Sequence, residues 1–292
     1  MPIKKDIWRI GAVRAPLAQL IKEGLAGHDI VWLQDMPALS FLADPFGVWR
    51  DGRLYVFAEA YDYRDRHGFI EALTFDASLR LLDRRTVLKE PWHLSYPFLI
   101  EAGGETYMMP ESFRAGGVTL YRAVDFPHRW EAVQKIMLDA APIDATPVFR
   151  NGLWWLFYTP ATTREAKVSA LHLAYAPRLT GPWTPHPKNP VRFDASSSRP
   201  GGTPIVMDGS LVLPMQDCRK TYGGAIRPLT VTTLTPTDFA ATAGEVIAAP
   251  FGDGLHTMAA AGDLTLIDVK RFHLSAKSLA LDVRHLISKA FR

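Results

Sequence analysis

Three absences narrow what this 292-residue chain can be. It has one cysteine, Cys218, which excludes an intrachain disulfide and a cysteine-based zinc cluster. It has no run of 18 apolar residues, so the sequence predicts no membrane span. Neither sign of charge dominates, with 33 Lys and Arg against 30 Asp and Glu, and the basic residues are scattered. A dedicated nucleic-acid surface is therefore not expected.

Motifs for several other chemistries are missing as well. The sequence has no Walker-type phosphate loop, no dinucleotide fingerprint and no His-Glu-x-x-His zinc motif. No apolar run follows the charged N-terminal residues that could serve as a signal peptide, so we expect a cytoplasmic protein. Hydrophobic residues make up 48% of the chain and charged residues 22%, which is typical of a globular protein.

One sequence pattern recurs five times along the chain. Each copy has an apolar strand, a tight turn with a glycine, a second apolar strand and a polar residue. The turn glycines are Gly52, Gly104, Gly152, Gly209 and Gly262. Asp-Gly and Asn-Gly between apolar runs predict two-residue β-hairpins, because a type I′ turn needs positive φ at both central positions.

The repeats predict an all-β fold, a five-bladed β-propeller. A β-sandwich or two separate β domains would not give five evenly spaced copies. We expect a single domain over residues 1–292, with blades that start near residues 44, 96, 144, 199 and 256. The strand-like run 7–13 is expected to close the ring as the outer strand of the fifth blade. Short helices are expected at 17–25 and 279–291.

Polar residues occupy equivalent places in the five repeats. Because the inner strands of a propeller surround a central channel, residues just before them converge at one mouth. The ends of the second strands return to the same mouth. The residues just before the inner strands are Asp44, Tyr96, Asp144, Arg199 and His256. The residues at the ends of the second strands are Glu59, Glu111, Thr159, Gln216, Asp217 and Asp268. Gathered carboxylates repel one another, so some pKa values are expected to be raised. A buried ion network that joins the blades is the structural alternative.

Two of these segments resemble motifs of the five-bladed glycosidases of glycoside hydrolase family 43. Ala43-Asp44-Pro45 resembles its Ala-Asp-Pro motif, and Ile143-Asp144-Ala145-Thr146-Pro147 resembles its second motif. The resemblance implies that Asp44 is a general base and that Asp144 tunes a pKa and orients the acid. The sequence departs from the family at Arg199, which stands where a general-acid glutamate is expected.

Four further segments resemble the propeller domain of glucosamine inositolphosphorylceramide transferases and their bacterial relatives. They are Met109-Pro110-Glu111-Ser112, Ser198-Arg199-Pro200-Gly201-Gly202, Gln216-Asp217-Cys218 with Tyr222-Gly223, and His256-Thr257. The resemblance implies carbohydrate chemistry in a biosynthetic or modifying setting. It assigns no reaction, because the plant enzymes carry their transferase chemistry in a separate domain.

The leading hypothesis is a carbohydrate-active enzyme, a glycoside hydrolase or transglycosidase, that acts on a glycosidic bond. A pair of carboxyl groups would flank that bond, with Asp44 as base or nucleophile and Glu111 as acid. Asp144 would tune the pair or hold sugar hydroxyls, and Arg199 would bind an anionic group such as a phosphate. The other candidates for substrate binding are Tyr96, Gln216, Asp217, His256, Glu59 and Trp92.

Two alternatives stay open. In the first, the pocket binds a glycan or a sugar phosphate without catalysis and serves a glycosyltransferase partner in polysaccharide biosynthesis. In the second, the chain is a transferase that uses an activated sugar, with Arg199 on its phosphate. None of these hypotheses needs a cofactor or a catalytic metal, although a structural Ca²⁺ could contact His256 through water. The charged segment 62–66 is expected to be a solvated turn, with the rim of the pocket as the second interpretation.

Overall fold

A computed structural model of the protein describes residues 4–274 and Leu281. The chain begins with β1 (Lys5–Val13), α1 (Leu17–Glu23) and β2 (Ile30–Trp32). Blade 1 consists of β3 (Ser40–Arg50), β4 (Arg53–Asp62), β5 (His67–Phe75) and β6 (Leu81–Leu88). Blade 2 consists of β7 (Ser95–Ala102), β8 (Glu105–Glu111), β9 (Val118–Asp125) and β10 (Arg129–Ile136), with the 3₁₀ helix η1 (Phe113–Ala115) after β8.

Blades 3 and 4 each carry one additional short strand. Blade 3 consists of β11 (Pro142–Arg150), β12 (Leu153–Pro160), β13 (Ala170–Ala176), β14 (Thr184–Pro185) and β15 (Arg192–Phe193), with α2 (Ala166–Ser169) before β13. Blade 4 consists of β16 (Arg199–Pro200), β17 (Ile205–Met207), β18 (Ser210–Asp217), β19 (Ala225–Leu234) and β20 (Phe239–Ala243). Blade 5 combines β21 (Gly254–Ala261) and β22 (Leu264–His273) with β1 and β2. The predicted five-bladed propeller is therefore confirmed.

The five predicted hairpin turns are present and connect an inner strand to the second strand of each blade. All five predicted turn glycines have positive φ, between 61° and 79°. In blades 1 to 4 the residue before the glycine also has positive φ, as a type I′ turn requires. In blade 5 Gly262 is instead the first of the two turn residues.

The N-terminal strand closes the ring, as predicted, but in a different position within the blade. β1 pairs antiparallel with β22 from Lys5 opposite His273 to Val13 opposite Thr265. β2 then pairs with the end of β1, so the order in blade 5 is β21, β22, β1, β2. β1 is thus the third strand and β2 the outermost, because α1 turns the chain back along β1.

The predicted helix at 17–25 is present as α1. The predicted helix at 279–291 lies outside the described residues, apart from Leu281. Among the residues that the structure describes, no helix has the length and apolar character needed to cross a membrane.

A β-bulge interrupts the inner strand in blades 1, 2, 3 and 5, where the pairing register shifts next to the predicted site residues. In three of these bulges a residue other than glycine has positive φ: Asp44 at 51°, Tyr96 at 45° and Asp144 at 49°. Such conformations are uncommon, and bulges redirect side chains. The same local distortion therefore recurs at equivalent places in the first three blades.

Blades 4 and 5 approach each other at the Gly201-Gly202 pair. The Met258 N–H donates to the carbonyl of Gly201 over 2.9 Å. A Cβ atom on Gly202 would lie 1.9 Å from the Met258 carbonyl oxygen, and φ of Gly202 is +146°. Only glycine fits there, so this motif packs the two blades together.

Candidate functional site

The predicted mouth of the ring contains a cavity of about 240 Å³, which we call the funnel. It lies where the inner strands β3, β16 and β21 meet the ends of β4 and β8. Five predicted site residues line it: Asp44, Glu59, Glu111, Arg199 and His256. Each of these residues is less than a tenth exposed. Three acids and two basic groups therefore share one small space.

Asp44 is held by contacts from blades 2 and 5. Its Oδ1 accepts a hydrogen bond from the Thr257 hydroxyl at 2.9 Å and lies 3.4 Å from Nε2 of His256. Its Oδ2 accepts the backbone N–H of Tyr96 at 3.2 Å, and its own N–H donates to Asp268 at 2.9 Å. These contacts fix the carboxyl group, which still lines the funnel.

His256 lies between a buried carboxylate and two aromatic rings. Its Nδ1 is 2.6 Å from Oδ2 of Asp268, a residue with no exposed surface. Its ring stacks on the indole of Trp8, with centroids 3.7 Å apart and planes 10° apart. The ring of Tyr222 meets it edge-on, with centroids 5.4 Å apart. The orientation of the imidazole is therefore fixed on three sides.

Arg199, in the wall of the funnel, forms a buried ion pair with Asp144, which lies behind that wall. Nε of Arg199 donates to Oδ2 of Asp144 at 2.7 Å, and Nη1 donates to the Lys167 carbonyl at 2.9 Å. The Gln216 amide donates to the same Asp144 oxygen at 2.8 Å and to the Pro200 carbonyl at 2.8 Å. Two nitrogens of the guanidinium, Nε and Nη1, therefore already donate hydrogen bonds within the protein.

Glu111 and Glu59 line the blade 1 and blade 2 side of the funnel. Oε2 of Glu111 accepts the backbone N–H of Asp144 at 3.3 Å, which links blade 2 to blade 3. Oε1 of Glu59 lies 3.2 Å from Nε2 of His93, and Nδ1 of that ring accepts the Gly68 N–H at 3.0 Å. His93 also lines the funnel.

Burial and neighbouring charge shift the pKa values of several groups in the funnel, among them Asp44, Glu111 and His256. Burial, reinforced by the charge of Asp268, raises the pKa of Asp44 to about 7, although His256 opposes the shift. Burial and the Asp144 carboxylate raise the pKa of Glu111 well above its usual value. Burial lowers the pKa of His256, but the carboxylates of Asp268 and Asp44 outweigh it and raise that pKa to about 9. The predicted raised carboxyl pKa values are thus present.

Four predicted binding residues lie outside the lining of the funnel. Tyr96 is fully buried, and its hydroxyl accepts the N–H of Gly202 at 2.9 Å. Gln216 reaches Asp144 and not the cavity. Asp217 pairs with Arg219 and lines a separate cavity of about 570 Å³. Adjacent strand residues point to opposite faces, which separates positions 216 and 217.

Trp92 is the fourth of these residues. Its ring packs against a hydrophobic cluster of blades 1 and 2 that includes Ile70 and Met108. A large aromatic side chain gains most by burial in such a cluster, which explains this placement.

The structure adds further residues to the site, and four of them contact the predicted site residues directly. They are Trp8, Tyr222, His93 and Asp268. The sequence placed Asp268 at the mouth, since it ends the second strand of the fifth repeat, but gave it no role. Trp8 lies on the predicted closing strand, and Tyr222 belongs to one of the segments that resemble the transferase propeller domain. Only the three-dimensional contacts with His256 reveal what these aromatic residues do.

The set Asp44, His256 and Asp268 offers three potential metal ligands within 4.8 Å of one another. Calcium, however, prefers six to eight oxygen ligands. The oxygens of Asp268 already accept the backbone N–H groups of Asp44, His256 and Thr257. This donor set fits a cluster of hydrogen bonds and charges better than a directly coordinated Ca²⁺. A water-mediated Ca²⁺ near His256 stays a prediction.

The sequence of the chain is similar to that of a known protein family. A family model described as "Glucosamine inositolphosphorylceramide transferase 1, N-terminal" matches residues 30–254. The chain belongs to this family. Glucosamine inositolphosphorylceramide transferase 1 of Arabidopsis thaliana is 37% identical over 204 residues, which cover 68% of this chain and 26% of the plant protein. The chain therefore spans about a quarter of the length of the curated relatives it matches.

Solved structures share the fold of this family member. Zg3597, a family 117 glycoside hydrolase of Zobellia galactanivorans, aligns with a TM-score of 0.59 at 13% identity, covering 93% of this chain and 92% of that chain. A thermostable family-43 glycoside hydrolase aligns with a TM-score of 0.54 at 13% identity, covering 79% and 86%. At these identities the likeness shows the fold alone. The resemblance to the transferase family expected from the sequence is confirmed, and the resemblance to the glycosidase propellers is confirmed for the fold.

Proposed function

We propose that the funnel is the active site of a carbohydrate-active enzyme that breaks or transfers a glycosidic bond. The observation that carries this proposal is that the carboxyl groups of Asp44 and Glu111 line one buried cavity from two different blades. Paired carboxyl groups on either side of a glycosidic bond are the usual machinery for this chemistry. Membership of a carbohydrate-related family supports it.

In this proposal the two carboxyl groups divide the roles of acid and base between them. With a pKa near 7, Asp44 ionises close to neutral pH, which suits a base or nucleophile. Burial and the Asp144 charge raise the pKa of Glu111 well above its usual value, which suits a general acid. Glu111 gives its proton to the leaving oxygen as the C–O bond breaks. Asp44 either takes a proton from the attacking water or acceptor hydroxyl, or attacks the anomeric carbon itself.

Other residues of the site support this pair. The Asp144 charge helps to raise the pKa of Glu111, and Arg199 with Gln216 fixes Asp144 in place. Asp144 is therefore a positioning residue in this proposal. Trp8 and Tyr222 present aromatic surface to the funnel, where the apolar face of a sugar ring can pack.

A second candidate function is recognition of a glycan or sugar phosphate without catalysis, in the service of a glycosyltransferase partner in the cytoplasm. The Arg199–Asp144 pair favours it. The resemblance to family 43 predicts a general-acid glutamate at position 199, but this position holds an arginine that hydrogen-bonds to Asp144 and to the Lys167 carbonyl. In this reading Asp44 and Glu111 hold sugar hydroxyls.

The test is a screen of glycans, aryl glycosides and nucleotide sugars with the wild type, Asp44→Asn and Glu111→Gln. Asp263→Asn and Glu245→Gln make the same chemical changes at exposed positions and serve as controls. The proposal expects turnover by the wild type and both controls, and loss of turnover in the two funnel variants. Saturable sugar binding by the wild type without turnover, weakened in both funnel variants and unchanged in both controls, would support recognition instead.

A further inference from the structure

The blade 1 side of the funnel carries a carboxylate that the proposed acid and base do not use. Glu59 lies near the end of β4, its side chain is 9% exposed, and it lines the funnel. In the part of the chain that the structure describes, its one hydrogen-bond or ion-pair partner is Nε2 of His93, 3.2 Å from Oε1. An ionised carboxylate can accept about four hydrogen bonds, and buried acceptors are usually satisfied. The open oxygen Oε2 therefore points to a ligand that donates.

The backbone of Gly68 determines which nitrogen of His93 faces Glu59 with a proton. The Gly68 N–H donates to Nδ1 of His93 at 3.0 Å, so this nitrogen is the acceptor of the ring. The ring proton is then on Nε2, on the side of Glu59. Burial lowers the pKa of His93, but the Glu59 carboxylate outweighs it and raises that pKa. A second proton on Nδ1 would displace the Gly68 hydrogen bond, and Nε2 is a donor to Glu59 in either state.

The packing around Gly68 leaves no room for another residue. Gly68 lies in β5, and its carbonyl accepts the N–H of Leu94 at 3.0 Å. A Cβ atom on Gly68 would lie 2.6 Å from Cε1 of His93, 2.6 Å from the Leu94 carbonyl oxygen and 2.8 Å from Oε1 of Glu59. Only glycine permits this close approach of backbone, imidazole and carboxylate. The carboxylate of Glu59 is therefore held in place before any ligand binds.

Two tyrosines continue the wall beside Glu59. The Tyr61 ring meets the His93 ring with centroids 5.7 Å apart, and Tyr61 and Tyr63 both line the funnel. Tyr63 belongs to the charged segment 62–66, so this segment supplies part of the pocket rim, the second interpretation of its sequence. Aromatic surface next to an open carboxylate oxygen suits a sugar, which has apolar C–H faces and hydroxyl edges.

We propose that Glu59 is a specificity-determining residue of the funnel, and that His93 and Gly68 are positioning residues that hold its carboxylate for one ligand hydroxyl. That hydroxyl donates a hydrogen bond to Oε2, so the funnel selects sugars with a free hydroxyl at this ring position. Sugars with fluorine or an ether there bind more weakly, because the buried carboxylate is left without a donor. The inference rests on the proposed function for the sugar nature of the ligand, and it holds for catalysis and for recognition alike.

The first test needs no ligand and reads the ring nitrogens of His93 directly. Long-range ¹H–¹⁵N spectra of the full chain distinguish protonated from unprotonated imidazole nitrogens, and the variant His93→Leu identifies the signals. At neutral pH the inference expects a proton on Nε2 and an unprotonated Nδ1. Glu59→Gln should leave this pattern unchanged, because its amide oxygen can accept the same hydrogen bond. A proton on Nδ1 and none on Nε2 would overturn the positioning role.

The second test compares hydroxyl with fluorine at each ring position of a sugar. The probes are the methyl glycosides of glucose, galactose, mannose, xylose and arabinose and their monodeoxyfluoro derivatives, since fluorine cannot donate a hydrogen bond. Calorimetry measures Kd for the wild type, Glu59→Gln, His93→Leu and the control Glu245→Gln, which makes the same change at an exposed position. Circular dichroism verifies that each variant folds.

The inference expects one ring position at which fluorine raises Kd about 10- to 100-fold in the wild type and in Glu245→Gln, as for a hydrogen bond to a charged group. In Glu59→Gln the amide oxygen faces Nε2 of His93, so the NH₂ group faces the funnel and fluorine is tolerated at that position. In His93→Leu the difference between hydroxyl and fluorine should shrink, because the carboxylate is no longer held.

The outcomes separate this inference from the catalytic proposal. An equal effect of fluorine in the wild type and in Glu59→Gln, or no saturable binding of any probe, would overturn the role of Glu59. Selection that depends on Glu59 together with a failed turnover screen would leave hydroxyl recognition standing and reject catalysis. Turnover without such selection would do the reverse.

Discussion

The imidazole of His256 lies flat on the indole of Trp8, although the two residues come from opposite ends of the chain. Trp8 belongs to β1, the strand that closes blade 5, and is 5% exposed. The same strand that completes the ring therefore also completes the wall of the funnel. Closure of the propeller and formation of the site depend on one another through this contact.

Trp8→Ala should destabilise the protein by about 3 to 5 kcal/mol, the usual cost of truncating a large buried aromatic side chain. It should also weaken any ligand binding in the funnel, because His256 loses its stacking partner. Chemical denaturation measures the first effect. Phe149→Ala, at a phenylalanine 57% exposed, is the control and should cost less than about 1 kcal/mol. An equal loss of unfolding free energy in both variants would show that the Trp8–His256 stack does not stabilise the protein.

The free energy of unfolding should fall as pH rises from about 6.5 to about 9, because of His256. The unfolded histidine loses its proton near 6.5, whereas the folded one keeps it up to about 9. Its contribution is thus fully present below pH 6.5 and is lost as pH rises through 9. Asp44, with its raised pKa, acts in the same direction at lower pH, between about 4 and 7.

The variant His256→Gln separates this effect from the rest of the protein. It leaves the carboxylate of Asp268 buried without its neighbouring cation, which should cost about 3 to 5 kcal/mol at pH 6. Its stability should then change less between pH 6.5 and 9 than that of the wild type. His28→Gln is the control, at a partly exposed histidine. A parallel pH dependence in wild type and His256→Gln would refute the assignment.

The buried Arg199–Asp144 pair should show much stronger coupling than an exposed pair of similar geometry. The Nε–Oδ2 distance is 2.7 Å for Arg199 and Asp144, and 2.9 Å for the exposed pair Arg85 and Asp83. Arg199→Met alone should cost about 3 to 5 kcal/mol, since Asp144 is left uncompensated. A double-mutant cycle on the exposed pair should give a coupling below about 1 kcal/mol. Similar couplings in the two cycles would contradict this account.

Lys270 should hold the loop that carries Tyr222. Its side chain has no exposed surface, and Nζ donates to the Thr221 hydroxyl at 3.2 Å and to the Tyr222 carbonyl. Lys270→Met should destabilise the protein by about 1 to 3 kcal/mol and speed hydrogen exchange in the segment 218–224. Lys188→Met, at a lysine side chain 61% exposed, provides the comparison. Unchanged exchange in that segment would show that Lys270 does not order the loop.

Most of the fold followed from the sequence because its signals are local. A two-residue turn with positive φ depends only on its own residues, so Gly52 and Gly152 could be recognised without knowing their neighbours. The equivalence of Asp44 and Asp144 followed from the repeat, and the structure places both in the same kind of bulge. The position of β1 as the third strand of blade 5, and not the outermost, could not be predicted. It follows from β2, a strand of only three residues that the sequence pattern does not reveal.

The site was less predictable because its contacts are between blades. Trp8 and His256 meet only after the ring closes, and no local pattern pairs them. Asp217 was grouped with Gln216 by proximity in sequence, although alternation along β18 sends the two side chains to different places. The ion pair between Arg199 and Asp144 could not be predicted either, because a sequence shows that a residue is charged but not which residue it pairs with.

The measurement that tests the central claim most directly is the dependence of turnover on the leaving group in Asp44→Asn and Glu111→Gln. A general acid matters most when the leaving group is poor, whereas a base or nucleophile is needed whatever leaves. On the sugar found by the screen, Glu111→Gln should retain much of its turnover with a nitrophenyl leaving group and lose it with an alkyl one. Asp44→Asn should be inactive with both. Equal activity of both variants and the wild type, or no turnover of any glycoside despite saturable binding, would contradict the account.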